Sequence, residues 1–495
     1  MKILLINPPQ TFYPGSAAVV VGLPLGIMYL AAMLDRNGYE VKILDTLVPD
    51  SLPISDGDAK QYGMPWEEIR QEIQQSRPDI VGITCPFTTQ IGNATRISEI
   101  VKDIDAGILT VLGGPHTSVR ATQLLEEAKN VDIAVIGEGE YTILDLVRYL
   151  EGNKKISEIN GIAYRRGEQV VLNPKREFIG SLDELPFPAY HLVDMEEYLK
   201  PRRIQYRCPQ SLREISMITS RGCPYNCVFC SIHLHMGKIW RAHSEQYVVK
   251  HIEHVINNYG VEHIHFEDDN LTLDVKRFEG ILDRIIQKGI KFSWDTPNGI
   301  RADRLTKDLL KKIKETGCTN LIIGVESGDQ FILDNVIGKH LRLDGVINTA
   351  RMCKELGIPL SAFYVIGFPS EKKENIKQTI DLALRLKREF AVHMYLFVAT
   401  PLYGTRLYDI CIERGYLTRE LTPRALSEAT QVNGAGLIQT EDFTADEIKE
   451  IALSAVAAHE RLTMFSYIKN PWTTLRAIRR NPRGFAGFVK WAMRL

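Results

Sequence analysis

Three cysteines fall within eight residues of one another in the segment SRGCPYNCVFCS, Ser220 to Ser231. They are Cys223, Cys227 and Cys230, spaced C-x3-C-x2-C, with a glycine before the first and an aromatic before the last. A closed zinc site takes four protein ligands, and only three thiolates are local, although His233 and His235 follow closely. Dithiol redox chemistry needs only a C-x-x-C pair, as Cys227 and Cys230 would form alone. An iron–sulfur cube has four irons to ligate. Three cysteines leave one iron open to a substrate or cofactor.

Other chemistry-bearing residues cluster in short phrases. FEDDN places Glu267, Asp268 and Asp269 side by side, and three adjacent acids at a strand mouth rarely serve a core alone. Some of them can instead cap the following helix. GVESG carries Glu326, and Lys339 lies thirteen residues on as a compact point charge. VIGFPSE carries Gly367 and Pro369. Nearer the N-terminus, three loops share a character: TCPFTT (84–89), GGPHTS (113–118) and GEGE (137–140). Gly113 and Gly114 permit close backbone approach to a ligand, and Ser and Thr hydroxyls can bond phosphate or amide groups.

The elements that must position these residues follow from the apolar pattern. Residues 1–150 alternate short β-branched runs (KILLIN, YEVKILD, DIVGITC, LTVLGG, IAVIGEG) with patterned helices. Continuous apolar strands separated by helices predict an α/β domain with a doubly wound parallel sheet, covered on both faces. Ligands of such a sheet lie beyond the strands' carboxyl ends, where those three loops meet. Residues 151–210 read as a small hairpin (161–173) and a Pro-punctuated linker. A second alternation over 211–410 gives six βα units, a partial barrel, and the cysteine loop follows its first strand, at the end where barrels carry chemistry. Residues 411–495 read as a helical region.

Bulk properties bound the function. The 495 residues exceed one core, so two or three domains are expected. A formal charge of −1 implies no general attraction to nucleic acid. Eight cysteines, five of them scattered, suit a reducing cytoplasm better than a disulfide scaffold. No signal peptide is read at the start. The uncharged stretch Ile3 to Leu34 is long enough to span a membrane, but Pro8, Pro9, Pro14, Gly15, Gly22, Pro24 and Gly26 interrupt it. A strand, a loop and a buried helix explain it better.

The phrase CPYNCVFC, placed after a strand that opens a partial barrel, resembles the signature of the radical S-adenosylmethionine (SAM) superfamily. FEDDN, GVESG, VIGFPSE and LDELPFPAYHL are similar to that superfamily too. LPLGIMYLAAML, GGPHTS and GEGE resemble the cobalamin-binding domain that precedes such a barrel, and the likeness covers roughly residues 1–410. The nearest group is the cobalamin-dependent radical SAM enzymes, including carbon methylases and the anaerobic cyclase of chlorophyll synthesis. The resemblance implies that Cys223, Cys227 and Cys230 hold a [4Fe–4S] cluster whose open iron chelates SAM. It implies Phe229 and Gly367 near the adenine, Glu267 on the SAM ammonium, Glu326 on ribose or ammonium, and Lys339 on the methionine carboxylate. Gly113, Gly114, His116, Gly137 and Glu138 would lie against cobalamin. The D-x-H-x-x-G motif that supplies a histidine to cobalt does not occur, and His116 lies in the wrong loop for it. Cobalamin without a histidine lower ligand is therefore expected.

The resemblance further implies an electron donor such as flavodoxin or ferredoxin and methyl transfer to an unactivated carbon of a small-molecule or lipid substrate. A radical oxidoreductase or cyclase with the same cofactors is the alternative. A transfer-RNA methylthiotransferase is disfavoured because residues 1–150 hold only Cys85 and the tail is not β-patterned. A non-catalytic SAM or cobalamin sensor would not need the intact cysteine triplet. Residues 464–495 contain no acid and interleave Trp472, Phe485, Phe488 and Trp491 with Lys and Arg. Such a segment suits peripheral contact with an anionic membrane face.

Overall fold

The computed structural model describes residues 1–13, 22–48, 54–200, 213–430 and 434–469. Seven strands form the first sheet: β1 (Lys2–Asn7), β2 (Glu40–Asp45), β3 (Ile80–Thr84), β4 (Leu109–Gly113), β5 (Ile133–Val135), β6 (Ile162–Arg166) and β7 (Gln169–Leu172). Their order is β7-β6-β5-β4-β3-β1-β2. In β1 every residue after Lys2 is buried, as a strand covered on both faces requires. The chain runs from β1 outward to β2 and then returns to β3 on β1's other side. The switch point therefore lies between β1 and β3.

The hairpin expected within the linker is part of this sheet. β6 pairs antiparallel with β5, matching Ile133 to Tyr164, and β7 closes the edge. Buried Ile162, Ala163 and Tyr164 on β6 account for this, since they need the sheet to cover them. A small antiparallel sheet of Gln10–Phe12, Ile54–Asp56 and Ala59–Tyr62 lies beside it, and its short segments carry no long apolar pattern.

The barrel strands are β8 (Glu214–Met217), β9 (His263–Phe266), β10 (Ser293–Asp295), β11 (Cys318–Glu326), β12 (Leu360–Ile366) and β13 (His393–Val398). They pair in sequence order and all are parallel, so the six units predicted from the pattern are present. The helix Ala445–Lys469 packs across β13, where His459 Nε2 accepts from Met394 N at 3.2 Å. That covers the strand edge an open barrel exposes. Of the basic tail, residues 470–495 lie outside the described residues. No helix among the described residues is long and apolar enough to cross a membrane.

The linker fastens the two halves. Tyr198 donates to Asp45 at the end of β2 at 2.6 Å, and Tyr190 bonds buried His251 on the barrel helix Glu245–Tyr259 at 2.9 Å. The helix Pro115–Glu127, which follows β4, packs against Ile232–His235, the short helix after the third cysteine. Arg120 from the first domain lies 4.4 Å over the ring of Tyr403.

Candidate cofactor and active site

The cysteine loop leaves the short strand Ser220–Arg221 and ends at the helix Ile232–His235. Its entry is fixed by the acids of FEDDN. Asp268 accepts from Thr219 N (3.2 Å), Thr219 Oγ1 (2.7 Å) and Ser220 Oγ (2.5 Å). Asp269 accepts from Gly222 N at 2.7 Å. Gly222 has φ +82°, and a Cβ there would meet Ile239 O at 2.6 Å, so only glycine makes this turn before Cys223. Burial, with the neighbouring Asp268 adding to it, pushes the Asp269 carboxyl up to about 6. These two acids support the loop and do not cap the next helix, whose N-cap is Asp274. Glu267, the third acid, is held by Ser216 Oγ at 2.9 Å.

All three cysteines are unpaired and partly buried. Burial pushes the Cys227 thiol up to about 11, opposed by Lys339, and the Cys230 thiol up to about 12. Such thiols are inert until a metal replaces their protons. The Asn270 amide lies 3.6 Å from Cys223 Sγ. Tetrahedral zinc at a Zn–S distance of about 2.3 Å draws its sulfurs to roughly 3.8 Å apart. Among the described residues, the one group of three or more candidate ligands with atoms all within 4.8 Å is elsewhere, at His263, His265 and Asp295. Three thiolates in one loop with no fourth cysteine beside them fit a cluster that leaves one iron open.

Beside Cys227 stands the ion pair of Glu326 and Lys339, at 2.7 Å and nearly enclosed. The strand register shifts between Gly324 and Glu326, and Glu326 adopts φ +70°, a left-handed backbone costly for a side chain of this size. A Cβ at residue 324 would lie 2.5 Å from Lys339 Nζ, so Gly324 makes the room for the pair. The two residues expected to hold different parts of SAM therefore first hold each other.

At the end of β12, Glu371 accepts from Gly367 N (2.8 Å) and Phe368 N (3.0 Å). Phe229 packs on Phe368 with ring centroids 5.8 Å apart, which brings the two residues expected near adenine to one place. Glu371 is the last residue of the VIGFPSE phrase. Its acid–base state is testable: burial pushes its carboxyl up to about 7, against the two backbone amides. Its folded value exceeds the unfolded one, so the protonated form is favoured on folding. Its stabilising contribution is full below pH about 4.5 and is lost as pH rises through about 7. Glu371→Gln, which still accepts both amides, is expected to flatten the fall in stability over that window. Chemical denaturation at pH 5 and pH 8 measures it, and an unchanged difference between the two refutes it.

In the first domain, Gly114 has φ +110°, and a Cβ would meet Cys85 O at 2.8 Å, so the loops after β3 and β4 are pressed together. His116 Nδ1 lies 2.9 Å from Thr88 Oγ1, and burial lowers its imidazole to about 4, keeping it neutral. Thr117 Oγ1 is buried without a hydrogen-bond partner. Gly137 N donates to Ser118 Oγ at 3.0 Å. Phe87, at the loop tip, is 60% exposed. A glycine-tight cradle with an unsatisfied hydroxyl and an exposed ring fits a large amphiphilic cofactor at the switch point.

Glu138 is engaged within the protein. Its carboxylate is buried and accepts from Arg221 (2.8 Å), Arg241 (2.8 Å) and Ile179 N (2.7 Å). Arg221 is also paired with Glu140 at 2.7 Å and lies over the Tyr29 ring at 5.2 Å. Although burial opposes its charge, Glu140 and Glu138 hold Arg221 protonated well above the ordinary range. The Glu138 side chain is thus a clamp between the first domain and the residue two before Cys223.

Comparison with known proteins agrees with this arrangement. Residues 16–147 match the B12 binding domain and residues 217–383 the radical SAM superfamily. An uncharacterized methyltransferase of Pyrococcus horikoshii is 34% identical over 84% of this chain and 84% of its own. The cytidylyl-2-hydroxyethylphosphonate methyltransferase of Streptomyces wedmorensis is 30% identical over 85% of this chain and 83% of its own. The fold is similar to that of the radical SAM methyltransferase TsrM of Kitasatospora setae, with TM-score 0.67, 18% identity and coverage of 83% and 78%. The chain therefore belongs to the cobalamin-dependent radical SAM enzymes, with a [4Fe–4S] cluster, SAM and cobalamin as its cofactors.

Proposed function

We propose that the protein transfers a methyl group to an unactivated carbon of a small-molecule substrate. The observation that carries this reading is the kinship with two methyltransferases at 34% and 30% identity across more than four-fifths of the chain. Anaerobic magnesium-protoporphyrin IX monomethyl ester cyclases stand further off, that of Rubrivivax gelatinosus at 27% over 77% of this chain. When bound, the cluster supplies the electron that cleaves SAM, and cobalamin supplies the methyl group. The protein's part is positional. Asp268 and Asp269 set the cysteine loop, and Glu371 shapes the backbone at Gly367. Glu326 and Lys339 present opposite charges beside Cys227, suited to the ammonium and carboxylate of a bound amino acid. Gly113, Gly114 and His116 border cobalamin in this reading, and no protein histidine reaches cobalt.

The test is a product count. Anaerobically reconstituted protein is supplied with SAM, cobalamin, a low-potential reductant and candidate substrates. Methylation yields S-adenosylhomocysteine and 5′-deoxyadenosine together, with a product heavier by one methylene. Deoxyadenosine alone, with no gain in product mass, establishes the cyclase or oxidoreductase class and removes this proposal.

The reading includes a flavodoxin- or ferredoxin-type electron donor and a cytoplasmic site. The basic tail adds a peripheral contact with an anionic membrane. Each basic residue near such a surface contributes about 1 kcal/mol. Deleting residues 470–495 is expected to abolish co-sedimentation with anionic liposomes at low salt while leaving iron content unchanged. Equal sedimentation with and without the tail overturns the contact.

A further inference from the structure

The six-stranded barrel carries an ionisable cluster on its inner face, apart from the cysteines. Side chains alternate between the two faces of a strand. On β9, Ile264 and Phe266 are buried, and the Phe266 ring meets Trp294 of β10, which meets Phe278 of the outer helix Val275–Lys288. His263 and His265 therefore project inward, as do Ser293 and Asp295 on β10 and Glu214 on β8. The register pairs Glu214 with His263, His263 with Ser293, and His265 with Asp295. Three ligand-type side chains from two adjacent strands converge on one spot, with Glu214 of β8 beside His265.

Their hydrogen bonds are incomplete in a telling way. Ser293 Oγ donates to Glu262 O at 3.2 Å, which leaves it to accept from His263 Nδ1 at 2.7 Å. In the tautomer with its proton on Nδ1, His263 presents the Nε2 lone pair inward. That Nε2 makes no hydrogen bond, although His263 is fully buried and Asp295 Oδ1 lies 3.8 Å away. Glu214 Oε2 is likewise buried without a hydrogen bond, 3.4 Å from His265 Nε2. His265 Nδ1 is 2.6 Å from Asp295 Oδ1. One ligand atom each from His263, His265 and Asp295 fall within 4.8 Å of one another. A sealed ion-pair plug would satisfy its members, because an unpaired buried acceptor costs about 1–3 kcal/mol. A metal-ligating imidazole is usually oriented by a hydrogen bond at its far nitrogen, and Ser293 stands there for His263.

We propose that His263, His265 and Asp295 form a divalent-cation site inside the barrel, selective for zinc. Two imidazoles and one carboxylate match zinc's nitrogen and oxygen preferences and leave a fourth position open. The ion would tie β9 to β10 beneath Glu267, which stands two residues beyond His265 on the same face. The ion is distinct from the cluster and draws on none of its cysteines.

Zinc also binds free thiols, so the measurement uses protein whose cysteine loop already holds its cluster. After dialysis against a weak chelator, elemental analysis is expected to give about four irons and about one zinc per chain. His263→Gln and Asp295→Asn are each expected to lose the zinc and keep the iron. Ser293→Ala retains every ligand but frees the His263 ring, and should weaken zinc binding at least tenfold in competition with a fluorescent chelator. Should a ligand variant fail to fold, the parent decides: adding zinc to metal-stripped, cluster-loaded protein must raise its melting temperature. The proposal is overturned by a parent that takes up no zinc. It is equally overturned by folded His263→Gln and Asp295→Asn proteins that bind zinc as the parent does.

Discussion

Cys227→Ala protein, reconstituted anaerobically with iron and sulfide, is expected to carry no stable cluster and to form no 5′-deoxyadenosine above background. The residue cannot be replaced locally. Cys227 lies in a loop held at both sides by backbone bonds, with Val228 N donating to Ile337 O at 2.9 Å and Cys230 N to Cys227 O at 3.0 Å. Among the described residues no other thiol enters this loop, since Cys85, Cys318, Cys353 and Cys411 sit in separate parts of the fold. His233 and His235 do not rescue it. Both lie on the short helix Ile232–His235, which packs against the first domain. His235→Ala is therefore expected to keep its iron, which separates a three-cysteine cluster from a three-cysteine, one-histidine zinc knuckle. Iron analysis, the cluster's visible absorption and chromatographic quantification of deoxyadenosine measure the outcome. Normal deoxyadenosine formation by Cys227→Ala would remove the radical chemistry from this loop.

What the sequence reveals, and what it hides, follows from the range of the interactions. The parallel strands are legible because burial on both faces forces continuous apolar runs such as KILLIN. The cysteine triplet is legible because its spacing is local. Even Gly222 can be suspected, since it adjoins the first ligand. The partners of Asp268 and Asp269 are not legible, because they lie 49 to 47 residues away and meet only when β8 and β9 pair. The same holds for Glu138, whose acidic loop reads as a cofactor contact while its partners Arg221 and Arg241 are 83 and 103 residues on. The left-handed backbone at Glu326 leaves no mark in composition, because it is imposed by the neighbouring strand register. The hairpin of β6 and β7 reads as isolated because its pattern shows two strands but not the edge they join. In the barrel interior, HIHF alternates imidazoles with apolar residues. That alternation was a usable signal, obscured by the acids that follow it.

The clamp between the domains sets the second large effect. Glu138→Ala leaves Arg241, buried and charged, without its carboxylate partner, and leaves Arg221 with Glu140 alone. Breaking a buried ion pair from one side costs about 3–5 kcal/mol, because the remaining charge stays desolvated. Arg241 retains only carbonyl acceptors, Ile179 O at 3.0 Å, Met236 O at 2.9 Å and Ile239 O at 3.4 Å, which cannot neutralise it. The cost falls where the cofactor domain meets the cysteine loop, two residues before Cys223. Glu138→Ala is thus expected to lower the denaturation midpoint and to reduce both retained iron and cobalamin affinity. Glu138→Gln preserves the volume and one acceptor, and should recover part of the loss. The double variant Glu138→Ala/Arg241→Ala is the sharper measurement. Removing both charges relieves the stranded one, so the double variant should be more stable than the sum of the two single losses predicts, by about 2 kcal/mol. Purely additive losses, or a Glu138→Ala protein that melts and holds its cofactors as the parent does, would mean that the two halves are joined by packing around Tyr190 and Tyr198 and not by this carboxylate.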